Sequence, residues 1–129
     1  MRAIGTKPDG KPWTAGVENP WGDDPAYIQA VELADGDSLV ISGDYQRYFE
    51  YDGVRYAHLI DLTTGYPARY VSSVAVLARD DTGGLADALS TGLFCLPEET
   101  GQALAAQNHY AVLWMHPGET TSRSADWPQ

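Results

Sequence analysis

HLIDLTTGYPARYVSSVAVLARDDTGGLADALST, residues 58 to 91, is the stretch on which the fold turns. Its middle, Ser72 to Arg79 (SSVAVLAR), sets Val74, Val76 and Ala78 on one face of an extended segment and Ala75 and Leu77 on the other. Apolar character on both faces belongs to a strand that is covered on both sides. The following GGLADALSTGLFCL has the spacing of a buried helix, with Leu85, Leu89, Leu93 and Leu96 on an apolar stripe. Asp87 and Thr91 lie four residues apart, so their oxygens sit one turn apart on the same helix face. The reading puts Asp87 in the first turn, where the helix dipole favours an anion. A carboxylate and a hydroxyl are hard oxygen ligands of the kind Mg2+ accepts. Spacing alone fits a solvated or capping pair equally well, and that is the ordinary outcome for such a pair.

Working outward, the segment before this stretch reads as strands and turns. Lys7-Pro8-Asp9-Gly10 is a turn signal. Trp13 to Glu18 reads as a strand, and Asn19 to Pro25 is a loop rich in Pro and Asp. Tyr27 to Ala34 reads as a strand with Ile28, Ala30 and Val31 as its inward candidates. Asp35-Gly36-Asp37 then reads as a hairpin turn into a strand over Ser38 to Ser42. Ser42-Gly43 at a strand end is either a bulge or a place where backbone approaches a ligand. Tyr45 to Tyr51 alternates aromatic residues, and Asp52-Gly53 returns the chain as an antiparallel partner over Val54 to Ile60. The aromatic face reads as core packing in preference to a ligand-stacking face. His58, in the returning strand, is an ordinary polar residue unless context says otherwise. Asp61 reads as structural, accepting backbone N–H groups in the turn Thr63 to Pro67.

Downstream, Pro97-Glu98-Glu99 opens a second helix expected over Pro97 to Gln107, with Asn108 as its cap. Tyr110 to Met115 is a buried strand. The tail from His116 is polar, with Pro near both ends, and reads as a short or frayed extension. His109 and His116 have no acidic or cysteine partners at metal spacing and read as surface residues. Clustered strands with two adjacent helices predict an α+β fold, a mainly antiparallel sheet with both helices on one face.

Bulk properties narrow the function. A chain of 129 residues makes one domain, residues 1–129, with a modest core. The net charge of −10, from 18 acidic against 8 basic residues, argues against nucleic acid as a partner. It leaves room for a nucleotide, because a cation can bridge acidic side chains to phosphates. The single cysteine, Cys95, makes no internal disulfide and reads as a small buried hydrophobe. No apolar run approaches membrane-spanning length, and the start MRAIGTKPDGK has neither a signal-peptide core nor a lipid-acceptor cysteine.

Four segments in order carry a family resemblance: ISGDYQRYFEYDG (Ile41 to Gly53), HLIDLTTGYP (His58 to Pro67), SSVAV (Ser72 to Val76) and ADALST (Ala86 to Thr91). They resemble the ApbE family of flavin transferases, whose motifs run S-G-x-Y, H-x-I-D-P-x-T-G-x-P, S-V-x-V and A-D-A-x-x-T. The lead-in KPDGKPWTAGVENP is similar as well, so the likeness extends from about Gly5 to Met115. Leu62 stands where the family has Pro, which loosens that turn.

The resemblance implies cleavage of FAD and transfer of FMN to a threonine of an acceptor protein, with Mg2+. Asp87 and Thr91 would bind the metal, and Asp87 and His58 would be the catalytic pair. Ser42, Gly43, His58 and Ile60 would border the FAD. Hydrolysis of FAD to FMN and AMP would use the same parts. Family members are generally exported, membrane-anchored lipoproteins of the periplasm and much longer. This chain is therefore expected to match their carboxy-terminal half, as a fragment or a short homologue, with a separate amino-terminal half or self-association completing the site. The alternative is a non-catalytic FAD- or metal-binding module.

Overall fold

A computed structural model describes residues 1–79 and 82–129. Eight strands and two helices follow one another: β1 (Trp13–Glu18), β2 (Tyr27–Leu33), β3 (Ser38–Gly43), β4 (Tyr48–Tyr51), β5 (Val54–Ala57), β6 (Ser73–Ala78), α1 (Gly83–Phe94), α2 (Glu98–Asn108), β7 (Ala111–His116) and β8 (Thr120–Arg123). The fold is α+β, as the pattern predicts.

The centre is a four-stranded antiparallel sheet ordered β3-β6-β7-β8. β6 lies between β3 and β7 and is buried on both faces, which is why its sequence is apolar without alternation. Val74 and Val76, with Val112 and Trp114 of β7, face the helices and meet Ala86, Leu93, Phe94 and Ala105. Ala75 and Leu77 face the other way, with Leu39, Leu113 and Met115. There they meet a separate two-stranded ribbon, β1-β2, through Ala15, Val17, Val31 and Leu33. The result is three layers: helices, sheet and ribbon. The third sheet, β4-β5, stands apart as a two-stranded hairpin.

Several expectations need correction. Val31 and Leu33 are the inward residues of β2; Ala30 is exposed and Ile28 only partly covered. The register shift between Val17 and Glu18 changes which residues oppose one another along the ribbon. Asp35-Gly36-Asp37 is no hairpin, because β2 and β3 belong to different sheets. The buried face of α1 is Ala86, Ser90, Leu93 and Phe94, while Leu85 is 50% exposed. Of the expected stripe Leu93 is buried and Leu89 and Leu96 are half-covered, while small Ala86 and Ser90 take the rest of the face against β3 and β6. Asp87 falls beyond the first turn, which holds no acidic residue. The second helix ends one residue later than expected, and His109, in the left-handed conformation, is its cap.

The tail is not frayed. β8 pairs with β7, and Trp127 is 1% exposed in the core between sheet and ribbon. Its Nε1 donates to Gln29 Oε1 at 2.9 Å. His116 is not a free surface residue: its Nε2 lies 3.2 Å from Glu98 Oε2 and 2.9 Å from Ser122 Oγ. Cys95 is only partly covered, and burial pushes its thiol pKa up. Among the described residues, no helix is long and apolar enough to cross a membrane.

The largest departure is the β4-β5 hairpin. Asp52 and Gly53 both take positive φ, 51° and 71°, the two-residue turn that Asp-Gly favours. The turn and pairing are as read, although β4 starts only at Tyr48 and β5 stops at Ala57, leaving Tyr45 and His58 outside the strands. Its aromatic face, however, is not core: Phe49 is 63% and Tyr51 72% exposed.

Candidate functional site

The end of β3, the hairpin's base and the middle of α1 enclose a polar cleft of about 530 Å³. Ser42 and Gly43 come from β3, Arg47 and His58 from the two stems of the hairpin, and Asp87 and Thr91 from α1. Glu18, at the end of β1, closes one side. Five of the six residues singled out in the sequence therefore meet at one place. The sixth, Ile60, pairs with Pro67 across the next turn, and Leu59 lines the cleft instead.

Hydroxyl groups join β3 to α1 at this point. Ser42 Oγ lies 2.8 Å from Ser90 Oγ and 3.4 Å from Thr91 Oγ1. Ser90 is fully buried and also donates to the Asp87 carbonyl at 3.0 Å. Thr91 Oγ1 reaches the same carbonyl at 3.4 Å. Among the described residues, the Asp87 carboxylate has no hydrogen-bond or ion-pair partner, and both Asp87 and Thr91 are exposed. An unpaired carboxylate one turn from a hydroxyl is the kind of donor set Mg2+ takes. It is not a full shell: no group of three His, Cys, Asp or Glu that could hold a metal occurs among the described residues. The donors fit Mg2+ in kind, with phosphate and water oxygens needed for the rest.

His58 is held by one acceptor. Its backbone N–H donates to the Arg47 carbonyl at 3.2 Å, and its Nδ1 lies 3.2 Å from the same oxygen. A carbonyl only accepts, so Nδ1 carries the proton and Nε2 of the neutral ring keeps its lone pair. His58 is exposed.

Gly43 is needed for a reason the sequence reading did not foresee. A Cβ there would stand 2.4 Å from Tyr45 Cε1, so the tyrosine ring, rather than a ligand, lies over the glycine. Tyr45 donates its hydroxyl to Glu18 Oε2 at 3.1 Å, and Gln46 Nε2 donates to the same oxygen at 3.1 Å. Burial, then the Glu18 charge, raise the Tyr45 pKa far above its ordinary value. Burial also raises that of Asp44, against the opposing pull of Arg55. Glu18, Tyr45 and Gln46 went unnoticed as lining residues. Tyr45 was signalled by the Tyr of the S-G-x-Y motif, and Glu18 only by its place at the end of β1.

Asp61 anchors the loop that follows the cleft. Its Oδ1 accepts from the Thr63 N–H at 2.8 Å and its Oδ2 from the Tyr70 hydroxyl at 3.0 Å. The Thr63 N–H, with Tyr70 adding to it, holds its carboxyl below the ordinary aspartate range. The structural reading of Asp61 stands.

The same α+β fold occurs within related structures. The ApbE protein of Thermotoga maritima superposes with a TM-score of 0.82 at 42% identity, covering 96% of this chain and 40% of that one. The apo flavinyl transferase ApbE of Pseudomonas stutzeri gives 0.74 at 39% identity, over 97% of this chain and 38% of that one. The model of the ApbE family matches residues 1–114, and the chain belongs to that family. It is 44% identical over 114 residues to the FAD:protein FMN transferase of Vibrio cholerae, covering 88% of this chain and 33% of that protein. The Haemophilus influenzae protein of the same name is 42% identical over 113 residues, 87% of this chain and 32% of its own length. The chain thus spans about a third of the curated relatives it matches.

Proposed function

We propose that this chain forms the carboxy-terminal part of an FAD:protein FMN transferase, and that the Ser42–His58–Asp87–Thr91 cleft holds the FAD pyrophosphate. The observation that carries the reading is the meeting of those residues, from three separate elements, around one polar cleft. The names of the relatives support the substrate and the acceptor class.

In this reading Asp87 and Thr91 hold Mg2+, which when bound offsets negative charge on the phosphates. Ser42 and Gly43 line the phosphate side of the cleft, with the Tyr45 ring covering Gly43. The hydroxyl of an acceptor threonine attacks the FMN-side phosphorus, a new phosphoester bond forms, and the pyrophosphate bond breaks with AMP leaving. His58 Nε2 is the free ring nitrogen and takes the hydroxyl proton. Water in place of threonine yields FMN and AMP.

A second reading is an FAD- or metal-binding half that completes its site with a separate amino-terminal half or a second copy. The donor count favours it, since Asp87 and Thr91 are only two ligands. Calorimetric titration of the 129-residue chain with FAD, with and without Mg2+, followed by assay of AMP and FMN, separates the two. Mg2+-strengthened binding with AMP release is expected for the transferase. Binding without AMP release selects the second reading; no binding in either buffer removes the transferase reading for this chain alone and means that the site needs the amino-terminal half.

A further inference from the structure

Among the described residues, seven of the twelve exposed large hydrophobic side chains lie between Tyr48 and Tyr70. They are not scattered. Phe49 and Tyr56 stack across the β4-β5 hairpin, with ring centroids 5.0 Å apart and planes 8° from parallel. The Arg69 guanidinium lies 4.9 Å above the Tyr56 ring. Tyr56 and Arg69 then line a groove of about 570 Å³ with Tyr66, Pro67 and Tyr70. Tyr51 shares the hairpin face of Phe49, two residues along the strand. A contiguous aromatic face with arginine at its side is the composition of protein-binding surfaces, where Tyr and Arg supply most of the affinity.

Charge singles out the same region. Residues 47–70 carry three arginines against three acids, whereas the rest of the chain carries five basic against fifteen acidic residues. One of those three acids, Asp61, is 5% exposed and turned into its own loop. Arg55 is answered by Asp44 and Glu50. Arg47 and Arg69 are exposed and have no carboxylate partner among the described residues. The face therefore suits a partner that brings its own carboxylates, in a protein that otherwise repels acidic partners. It also adjoins the cleft: Arg47 lines the cleft, and Leu59 and Asp61, two residues apart, line the cleft and the groove respectively. β4 has only β5 beside it, so its outer edge is open to an extended segment.

We propose that the β4-β5 hairpin and the Tyr66–Tyr70 groove dock the acceptor protein, through an extended segment that pairs apolar side chains with carboxylates. The aromatic rings take the apolar side chains, and Arg69 and Arg47 take the carboxylates. This rests on the transferase reading for the acceptor's presence, but the surface itself is independent of FAD.

The test uses the 129-residue chain and three labelled twelve-residue peptides: one alternating Asp or Glu with Leu or Val around a single Thr, one with Lys replacing each acid, and one with Ser replacing each apolar residue. Fluorescence anisotropy is expected to show the acidic–apolar peptide bound at least tenfold more tightly than either control. The double variant Phe49→Ser, Tyr51→Ser should lose about tenfold, and Arg69→Glu should reverse the preference between acid and lysine. Thermal melts of the variants should match the parent chain, since all three side chains are exposed. FAD binding, read in the same samples, should be unchanged by these variants. Equal binding of the three peptides, or none while FAD still binds, overturns the docking site and leaves the transferase reading in place. Peptide binding without FAD binding keeps the surface but removes the transferase reading for this chain alone, and with it the acceptor assignment. A face occupied by a second copy, seen as a concentration-dependent dimer that Phe49→Ser, Tyr51→Ser abolishes, overturns the acceptor assignment.

Discussion

Ser42 Oγ, at the end of β3, and Ser90 Oγ, fully buried on α1, lie 2.8 Å apart, and this bond fixes the helix against the sheet where the cleft begins. Ser90→Ala removes a buried hydroxyl that also bonds to the Asp87 carbonyl. The expected loss is about 1 kcal/mol in urea unfolding, with weaker FAD binding because Thr91 and Asp87 are no longer held in place. A Ser90→Ala chain as stable as its parent would remove the hydroxyl link from the account.

Asp87 is the unpaired carboxylate of the cleft. Asp87→Ala should make FAD binding indifferent to Mg2+, while Thr91→Val should reduce the Mg2+ effect without abolishing it. Titrations in Mg2+ and in chelator read this directly. A full Mg2+ effect in Asp87→Ala defeats the metal assignment.

His58 lines the cleft, and with Nδ1 engaged by the Arg47 carbonyl its Nε2 is the available ring nitrogen. Replacement by Ala should slow AMP release by about 100-fold or more, the range of a general base, and leave FAD affinity within a few-fold. Equal losses in rate and affinity would make His58 a binding residue.

The Asp61 carboxylate, pulled below its ordinary range by the Thr63 N–H and Tyr70, favours folding where it is ionised. Its contribution is complete above the unfolded-chain pKa of about 4 and disappears as pH falls through the lower folded value. Melting temperatures of Asp61→Asn and its parent should therefore differ above about pH 4 and converge in more acidic buffer. A constant gap across that range would show that the charge plays no part.

Trp127 fills the core between sheet and ribbon. Trp127→Ala should cost about 3 to 5 kcal/mol, the range for emptying a large aromatic site, measured by denaturant unfolding. Gln29→Ala, which removes the Nε1 acceptor and the bond to the Pro128 carbonyl but leaves the ring in place, should cost less.

These residues also mark what the sequence could reveal. β6 was legible because a strand covered on both faces has no polar positions to confuse it. α1 was legible as a helix but not in its facing, because Ala86 and Ser90 carry little hydrophobic signal and still make the closest contact. Trp127 was hidden by its neighbours: one aromatic among Pro, Asp and Gln has no periodicity to read. The hairpin's alternation predicted its pairing, yet alternation cannot say whether a face is covered. For the cleft, no spacing rule joins Ser42, His58 and Asp87; only the order of motifs grouped them, and Glu18 lay outside every motif used for the site residues.

Trp127 is made after every strand it touches. Until it leaves the ribosome, the ribbon β1-β2 and the inner face of the sheet lack the side chain that seals them together. The seal between ribbon and sheet therefore forms only once Trp127 is made, and until then the nascent chain exposes both Val31 and Leu33. Proteolysis of stalled chains that end before Trp127 would find the β1-β2 ribbon cut first.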